Sequence, residues 1–269
     1  MNTDILIELR NLTRLYGDLA AVNQVSFSVP RGQILGYLGP NGAGKTTTVK
    51  MLTGIIHPTD GSARICGFDI QKDSLEVKRR IGYVPESGAV YQSLSPLEYL
   101  MVIGRLYHIP DQAISRRIDE FATFFQIGDH LSMRMTGFSK GMKQKVVIAA
   151  ALLHNPEVLF LDEPLNGLDA NTALQIKKLL RELSAAGKTI FYCSHILDVV
   201  ENLCDRVIIV NKGRVTADGS VKNLKEMTQR SSLEDVFADL TLEGDQTEMI
   251  RAISSQLVLP KRDTGDEQP

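Results

Sequence analysis

Tryptophan is absent from this 269-residue sequence, cysteine occurs only three times, and long apolar runs are missing. A helix that spans a membrane needs roughly 20 consecutive apolar residues. The longest candidate, residues 146–153, would cross less than half of a bilayer. We therefore expect no transmembrane segment, and any work at a membrane must pass through a partner protein.

The cysteines and the charge exclude several further classes of protein. Cys66, Cys193 and Cys204 show no metal-ligand or redox spacing, and two of them lie in apolar runs, which is typical of buried reduced thiols. A net charge of −2 gives no electrostatic basis for binding nucleic acid, so no such partner is expected. Residues 1–10 lack the apolar core of a signal peptide, and none is predicted.

Strand patterns alternate with helical patterns along most of the chain, and a helical block at about residues 95–153 interrupts them. Such alternation predicts an α/β fold with a mostly parallel central sheet. A turn at residues 16–18 separates the first two strands, which we expect to form an N-terminal antiparallel layer. The helical block is expected to be a subdomain inserted at about 87–155. The predicted strands are 5–9, 24–29, 33–38, 81–84, 158–161, 189–193 and 207–210.

Residues 39–46, GPNGAGKT, match the phosphate-binding P-loop pattern G-x-x-x-x-G-K-[ST] at every specified position. A predicted strand precedes them and a predicted helix, 44–52, follows. Glycines let successive backbone N–H groups point at phosphate oxygens, and the helix N-terminus adds partial positive charge. A glycine-rich turn without a ligand is the alternative, and the flanking elements disfavour it. The predicted nucleotide-binding residues are Gly39, Pro40, Asn41, Gly42, Ala43, Gly44, Lys45, Thr46 and Thr47.

A second motif, residues 158–163 with sequence VLFLDE, supplies acidic groups at the end of a buried strand. Doubly wound folds bind their ligands at that end of the sheet. Asp162 is predicted to hold Mg²⁺ through water beside the Thr46 hydroxyl, and Glu163 to be the general base for the attacking water. An Asp-Glu pair alone would indicate only a solvent-exposed turn at the end of a strand. Together with the P-loop it is the Walker B element, which predicts the fold of a P-loop NTPase.

Four further motifs follow in order. They are Tyr16, the segment FSKGM at 138–142, NGLD at 166–169 and the pair Ser194-His195. An isolated histidine is more often structural than catalytic. With both Walker elements, however, the sequence resembles the ATP-binding-cassette (ABC) ATPases from about residue 5 to residue 222. The resemblance implies that Tyr16 stacks on adenine, that Asp169 belongs to the D-loop, and that His195 contacts the γ-phosphate.

The resemblance also implies that one chain cannot act alone. Two copies, expected to be identical, would face each other with two ATP molecules between them. Residues that act on the ATP bound by the partner copy would be Ser139, Lys140, Gly141 and Met142. Ser139 also has the properties of a helix N-cap. An integral membrane permease would convert closure into transport, with this chain on the cytoplasmic face of the membrane.

Two departures from the family pattern bear on function. The signature, usually Leu-Ser-Gly-Gly-Gln, has Lys140 and Met142 here, although Gly141 is kept. Glu86 stands where the family usually has a glutamine that ligands Mg²⁺ and relays to the permease, and we expect Glu86 to be a metal ligand. Both variants, and residues 232–237, resemble a subgroup that serves export-type permeases.

Residues 1–222 are thus predicted to form the ABC ATPase domain, and 223–269 a helical extension with a polar tail. Residues 223–240 carry an apolar face at helical spacing, made of Leu224, Met227, Leu233, Val236, Phe237 and Leu240. Two alternatives to transport remain open. One is a soluble ABC-type ATPase acting on ribosomes or nucleic acid, and the other a regulatory subunit without turnover.

Overall fold

The computed structural model describes residues 4–88 and 90–241. The strands are β1 (Ile5–Tyr16), β2 (Leu19–Pro30), β3 (Ile34–Leu38), β4 (Asp60–Ile65), β5 (Phe68–Asp69), β6 (Ile81–Val84), β7 (Val158–Asp162), β8 (Thr189–Ser194), β9 (Arg206–Asn211) and β10 (Arg214–Gly219). The helices are α1 (Lys45–Leu52), α2 (Ser74–Arg80), α3 (Pro96–Leu106), α4 (Asp111–Phe125), α5 (Lys140–Leu152), α6 (Ala170–Ala185), α7 (Leu197–Leu203), α8 (Val221–Thr228) and α9 (Leu233–Thr241). Within these ranges no helix has the length and apolar character needed to cross a bilayer.

These strands form two sheets in the described ranges. The first is antiparallel along β2-β1-β4-β5, and the second has the order β10-β9-β3-β8-β7-β6. Strands β9, β3, β8, β7 and β6 pair in parallel, while β10 is an antiparallel edge strand. The expected fold class is confirmed: a mostly parallel sheet, an N-terminal antiparallel layer, and helices α3 to α5 inserted between β6 and β7.

The central strands β3, β7 and β8 are buried on both faces, which explains their continuous apolar sequences. Ile34 and Leu38 pack on one side with α5, α6 and α7, whereas Leu35 and Tyr37 pack on the other with α1 and the antiparallel sheet. The carboxyl ends of these strands therefore point to one edge, between the two layers, and the predicted site lies there.

Strands β1 and β2 are much longer than the sequence pattern predicted. The pairing register shifts between Leu9 and Leu12. Asn11, with φ 49, and Gln24, with φ 53, have the left-handed backbone found at bulges. A bulge breaks the alternation of apolar and polar residues, so the pattern was recognisable only at 5–9 and 24–29. Strands β4, β5 and β10 were not predicted, because their sequences are short, polar or rich in glycine.

Helix boundaries follow local chemistry. Ser95 and Glu98 form a capping box at the start of α3, with Pro96 in the first turn, and Pro110 is the N-cap of α4.

The expected C-terminal helices are present as α8 and α9. Leu224, Leu233 and Val236 are fully buried against the core, but Met227 is 79% exposed, so the prediction that it joins the packed face is wrong. Met227 lies on the solvent side of α8, whose packed face is formed by Leu224 and Val221. Helix α8 begins at Val221, so the expected boundary at residue 222 falls in its first turn. The predicted polar tail lies outside the described residues.

Candidate functional site

The P-loop connects β3 to α1 at the centre of the parallel sheet. Gly44 has φ 99, and a Cβ there would lie 2.2 Å from the carbonyl oxygen of Ala21 on β2. A Cβ on Gly39 would lie 2.4 Å from the carbonyl oxygen of Val210 on β9. Glycine is therefore required at both positions, because any side chain would push the loop off its two neighbouring strands. At Gly42 a Cβ would meet nothing within 4 Å, but the φ of 80 is a left-handed backbone conformation that favours glycine there as well.

Lys45 is the buried cation of the loop, with 8% of the residue exposed. Its Nζ donates to the carbonyl oxygens of Gly39 at 2.7 Å and Pro40 at 3.1 Å. These bonds hold the ammonium inside the curve of the loop. An ammonium in that position can exchange carbonyl oxygens for phosphate oxygens, which are stronger acceptors because they carry charge.

A cleft of about 330 Å³ lies in front of the loop. It brings together residues from the P-loop, the ends of β7 and β8, and the segment after β6. The lining residues are Ala21, Asn41, Gly42, Gly44, Lys45, Thr46, Thr47, Glu86, Asp162, Glu163 and His195. Gly39, Pro40 and Ala43 belong to the loop but are not among them.

Asp162 ends β7 beneath this cleft and is 1% exposed. Burial raises the pKa of its carboxyl, as do the nearby Glu86 and Glu163 carboxylates, while a hydrogen bond from Thr46 and the charge of Lys45 lower it. Among the described residues, its Oδ2 has no hydrogen-bond partner. A buried carboxylate oxygen without a donor is costly, and a cation would relieve that cost.

The donors around Asp162 fit Mg²⁺. Thr46, Glu86 and Asp162 offer hydroxyl and carboxylate oxygens in one cleft, which are the hard ligands that Mg²⁺ prefers. In the described part of the chain, no group of three or more His, Cys, Asp or Glu side chains could hold a metal without help. This set therefore suits a metal that keeps several waters and shares its coordination with phosphate oxygens.

Glu163 follows Asp162 with φ 50, a left-handed conformation uncommon for a residue with a side chain. Only 6% of it is exposed. Its Oε2 accepts from the Ser194 hydroxyl at 3.0 Å, and its Oε1 accepts from the backbone N–H of His195 at 2.9 Å. The Nδ1 of His195 lies 2.6 Å from the same Oε1, and the imidazole itself is exposed. The carboxylate is thus held in one orientation at the edge of the cleft.

The signature residues lie at the start of α5 and do not line the cleft of their own chain. The Ser139 hydroxyl caps the helix by accepting from the N–H of Met142 at 3.1 Å. A Cβ on Gly141 would lie 2.5 Å from the carbonyl oxygen of Gly167. Gly141 is therefore needed for a contact within the chain, which the sequence did not indicate. The stem of Lys140 covers the other side of Gly167.

Two other predicted residues have local partners of their own. Tyr16 is 47% exposed at the end of β1, with the Arg14 guanidinium 4.7 Å from its ring centroid, and it does not line the cleft. Asp169 is the N-cap of α6, where its carboxylate accepts from the N–H and hydroxyl of Thr172. These hydrogen bonds hold the pKa of Asp169 below its usual value.

Two buried polar residues beside the site were not predicted as functional. Ser194 bonds to Glu163, and Gln144 on α5 donates from Nε2 to the carbonyl oxygen of Pro164 at 3.0 Å. Gln144 is 1% exposed. A glutamine on the otherwise apolar buried face of α5 was the available signal.

Comparison with known proteins gives one consistent family. Residues 22–166 match the family described as ABC transporter. The ABC transporter ATP-binding protein NatA of Bacillus subtilis is 36% identical over 245 residues, covering 89% of this chain and 99% of NatA. Nod factor export ATP-binding protein I of Cupriavidus pinatubonensis is 34% identical over 244 residues, covering 90% of this chain and 75% of that protein.

Solved structures agree with the sequence comparison. An ATP-binding subunit of an ABC transporter has a TM-score of 0.83 at 32% identity, covering 87% of this chain and 99% of that one. A bacterial ABC transporter cassette solved as a dimer has a TM-score of 0.75 at 25% identity, covering 80% of this chain and 98% of that one. This chain therefore belongs to the ABC transporter family, as an ATP-binding and ATP-hydrolysing subunit.

Proposed function

We propose that this chain closes on a second, identical copy around two ATP molecules and hydrolyses them to drive a separate membrane permease. The observation that carries the proposal is the placement of Glu163. It is buried, oriented by Ser194 and His195, and shares one cleft with Lys45 of the P-loop. A fixed carboxylate facing a phosphate-binding loop is suited to orient water and accept its proton.

Each proposed role follows from position. The P-loop, residues 39–47, binds the phosphates through its N–H groups and the Lys45 ammonium. Glu163 is the general base, and His195 contacts the γ-phosphate from the exposed side of the cleft. Tyr16, exposed at the end of β1, is free to take an adenine ring on its accessible face.

Mg²⁺ is the proposed cofactor. Thr46 and Glu86 would hold it directly or through water, and Asp162 through water. When bound, the metal supplies positive charge that neutralises the phosphate oxygens. In the part of the chain that the structure describes, Oδ2 of Asp162 has no hydrogen-bond partner, which supports this assignment.

The partner copy is expected to complete each site. Helix α5 presents its capped N-terminus at the surface, so its free N–H groups can meet a phosphate of the opposite subunit. The proposed residues that act on the partner's ATP are Ser139, Lys140, Gly141 and Met142, with Asp169 in the adjoining D-loop. Residues 1–222 form the ATPase domain in this proposal, and 223–269 are an extension packed on it.

The permease is expected to dock in an apolar groove of about 300 Å³ between the helical subdomain and the core. Ile55, Ile103 and Tyr107 line this groove, and so does Pro85. Pro85 immediately precedes Glu86, which lines the nucleotide cleft. One short segment therefore borders both the apolar groove and the nucleotide cleft. Docking here would place the chain on the cytoplasmic face of a membrane. Relatives such as the Nod factor export protein favour export as the direction.

The catalytic assignment is tested with Glu163→Gln. The variant should bind ATP and Mg²⁺ normally but lose turnover by roughly 10²- to 10⁴-fold, the usual cost of removing a general base. An ATP-bound dimer should then accumulate in size-exclusion chromatography. Glu182→Gln, the same change on the exposed face of α6, is the control and should retain full activity. Turnover at the wild-type rate in Glu163→Gln would remove the assignment.

Co-purification from detergent-solubilised cells distinguishes a function in transport from a function on ribosomes or nucleic acid. A polytopic membrane protein should travel with the wild-type chain and be lost with Ile55→Asp. Ile55 is 55% exposed, so the fold should tolerate this change. Recovery of ribosomal proteins or nucleic acid instead would favour the soluble alternative.

A further inference from the structure

Three segments of the chain meet at the side chain of Gln144. Its Nε2 donates to the carbonyl oxygen of Pro164, directly after Glu163. Its Oε1 faces the segment that follows Glu86, where a Cβ on Gly88 would lie 2.9 Å from it. The third segment is α5 itself, which carries Gln144. A buried amide is suited to such a junction because it donates from one atom and accepts at the other.

The junction connects the surface of the subunit to the catalytic carboxylate. Ser139 is the N-cap of α5, and Gln144 lies one to two turns further along, roughly 7 Å down the axis. A helix moves as a rigid rod over this distance, so a displacement at Ser139 reaches Gln144 with little loss. Pro164 has a locked φ. A displacement of its carbonyl group therefore also shifts the backbone of Glu163. Glu163 has a left-handed φ of 50, and a residue in this conformation is sensitive to its surroundings.

A second contact couples the same elements. Gly141 packs against the carbonyl of Gly167, and the stem of Lys140 covers Gly167 from the other side. Residues 163–168 form a compact turn closed by backbone bonds, including that from the N–H of Asn166 to the carbonyl of Glu163. The start of α5 is thus attached to both ends of the segment that follows the catalytic glutamate.

We infer that Gln144 is a positioning residue that makes the geometry of Glu163 depend on engagement of Ser139 by the partner copy. The inference rests on the proposed head-to-tail dimer. When the start of α5 contacts the partner's nucleotide, Gln144 moves Pro164 and the segment after Glu86 into the positions needed for hydrolysis. Each active site then reaches its catalytic geometry only when the nucleotide of the other site is also bound between the two copies. Hydrolysis at the two sites becomes cooperative without direct contact between the two nucleotides.

The test is Gln144→Met, which keeps the length and volume of the side chain but removes both hydrogen-bonding atoms. The kcat should fall roughly 5- to 150-fold, the usual size of coupling between two sites, and the sigmoidal dependence of rate on ATP should become hyperbolic. The affinity of the monomer for ATP should not change, because Gln144 does not line the cleft. In the Glu163→Gln background, ATP-dependent dimers should still form.

Two further variants provide a second test of the same contact and a control. Gly88→Ala leaves α5 untouched but pushes against Oε1 of Gln144 and strains the backbone at its φ of 55, and it should lower kcat and cooperativity in the same way. Ser184→Ala removes a comparable bond, from a hydroxyl to the carbonyl oxygen of Gly32 at 2.8 Å, on a part of the chain that does not line the cleft. It should change neither quantity.

Wild-type kcat and cooperativity in Gln144→Met would overturn the inference. A lower kcat with cooperativity intact and a matching loss of thermal stability would also overturn it, because that result indicates packing alone. Failure of the proposed function can be distinguished from failure of this inference. It would appear as wild-type turnover in Glu163→Gln, whatever the kcat of Gln144→Met.

Discussion

The imidazole Nδ1 of His195 lies 2.6 Å from Oε1 of Glu163, and the backbone N–H of His195 donates to the same oxygen. This relationship follows from the parallel pairing of β7 with β8. Asp162 is opposite Cys193 in the register, so the residues just beyond both strands emerge side by side. The proposed general base, Glu163, and His195 are therefore held together as one unit by the pairing of these strands.

Removing the imidazole should separate the two contributions of this unit. We expect His195→Ala to lower kcat roughly 10²- to 10³-fold, the cost of losing one donor to the transition-state phosphate. Ser194→Ala removes only the bond to Oε2 and should cost much less. Single-turnover measurements at saturating ATP will give both values. Equal losses in the two variants would show that His195 only holds Glu163 in place and makes no contact of its own.

The proposed metal site leads to a prediction about Glu86. A carboxylate adds negative charge that a glutamine lacks, so Glu86→Gln should raise the Mg²⁺ concentration needed for half-maximal ATPase activity. Glu86→Ala should raise it further, with smaller effects at saturating metal. Ser87→Ala, one residue along the same exposed segment, is the control. Superimposable Mg²⁺ titrations for wild type and both Glu86 variants would remove Glu86 from the metal site.

The elements that the sequence predicted well are those in which one physical requirement dominates. Strands β3, β7 and β8 are buried on both faces and therefore uniformly apolar. Gly39 and Gly44 of the P-loop are required by close contacts with Val210 and Ala21. The lengths of β1 and β2 were missed because bulges at Asn11 and Gln24 interrupt the alternation, and a bulge is stabilised by tertiary pairing that leaves little local signal.

Side-chain networks were harder to predict than elements. Gln144 lies 20 positions before Pro164 in the chain, and nothing at that spacing indicates their contact. Met227 had the right spacing for a buried face, but the packed surface of α8 is narrower than the helical pattern implies. Periodicity gives the direction of a face and does not give its width.

Ser139 caps α5 and, in the proposed dimer, also contacts the partner's phosphate, and substitution can separate these two roles. Its hydroxyl caps α5, and aspartate caps a helix as well as serine does. Ser139→Asp should therefore keep thermal stability but place a carboxylate against the partner's phosphate, abolishing the ATP-dependent dimer. Ser139→Ala should cost about 1 kcal/mol of stability through the lost cap. Ser220→Asp is the matched control, since Ser220 caps α8 with the same geometry and does not line the cleft. An ATP-dependent dimer of normal affinity in Ser139→Asp would move the phosphate away from this helix.

His154 should make stability depend on pH. Its ring stacks on Tyr107 with centroids 3.7 Å apart, and its Nε2 lies 2.8 Å from the carbonyl oxygen of Ile81. A carbonyl only accepts, so Nε2 carries the proton, and the buried Nδ1 has no partner among the described residues. Burial lowers the pKa of this histidine below its ordinary 6.5, and the charges of Arg117 and Lys188 also lower it, while the hydrogen bond to Ile81 only partly opposes the shift.

The sign of the effect follows from proton linkage. Below pH 6.5 the unfolded chain takes up a proton at His154 that the folded chain resists, so the folded state loses stability as the pH falls. The loss stops once the pH passes the lowered pKa of the folded state. Urea unfolding from about pH 7.5 to about pH 5, where histidines titrate, should show this slope in wild type and a flatter one in His154→Gln. His57→Gln, at an exposed position, should keep the wild-type slope. An unchanged slope in His154→Gln would mean that the proton is bound elsewhere, because glutamine cannot titrate in this range.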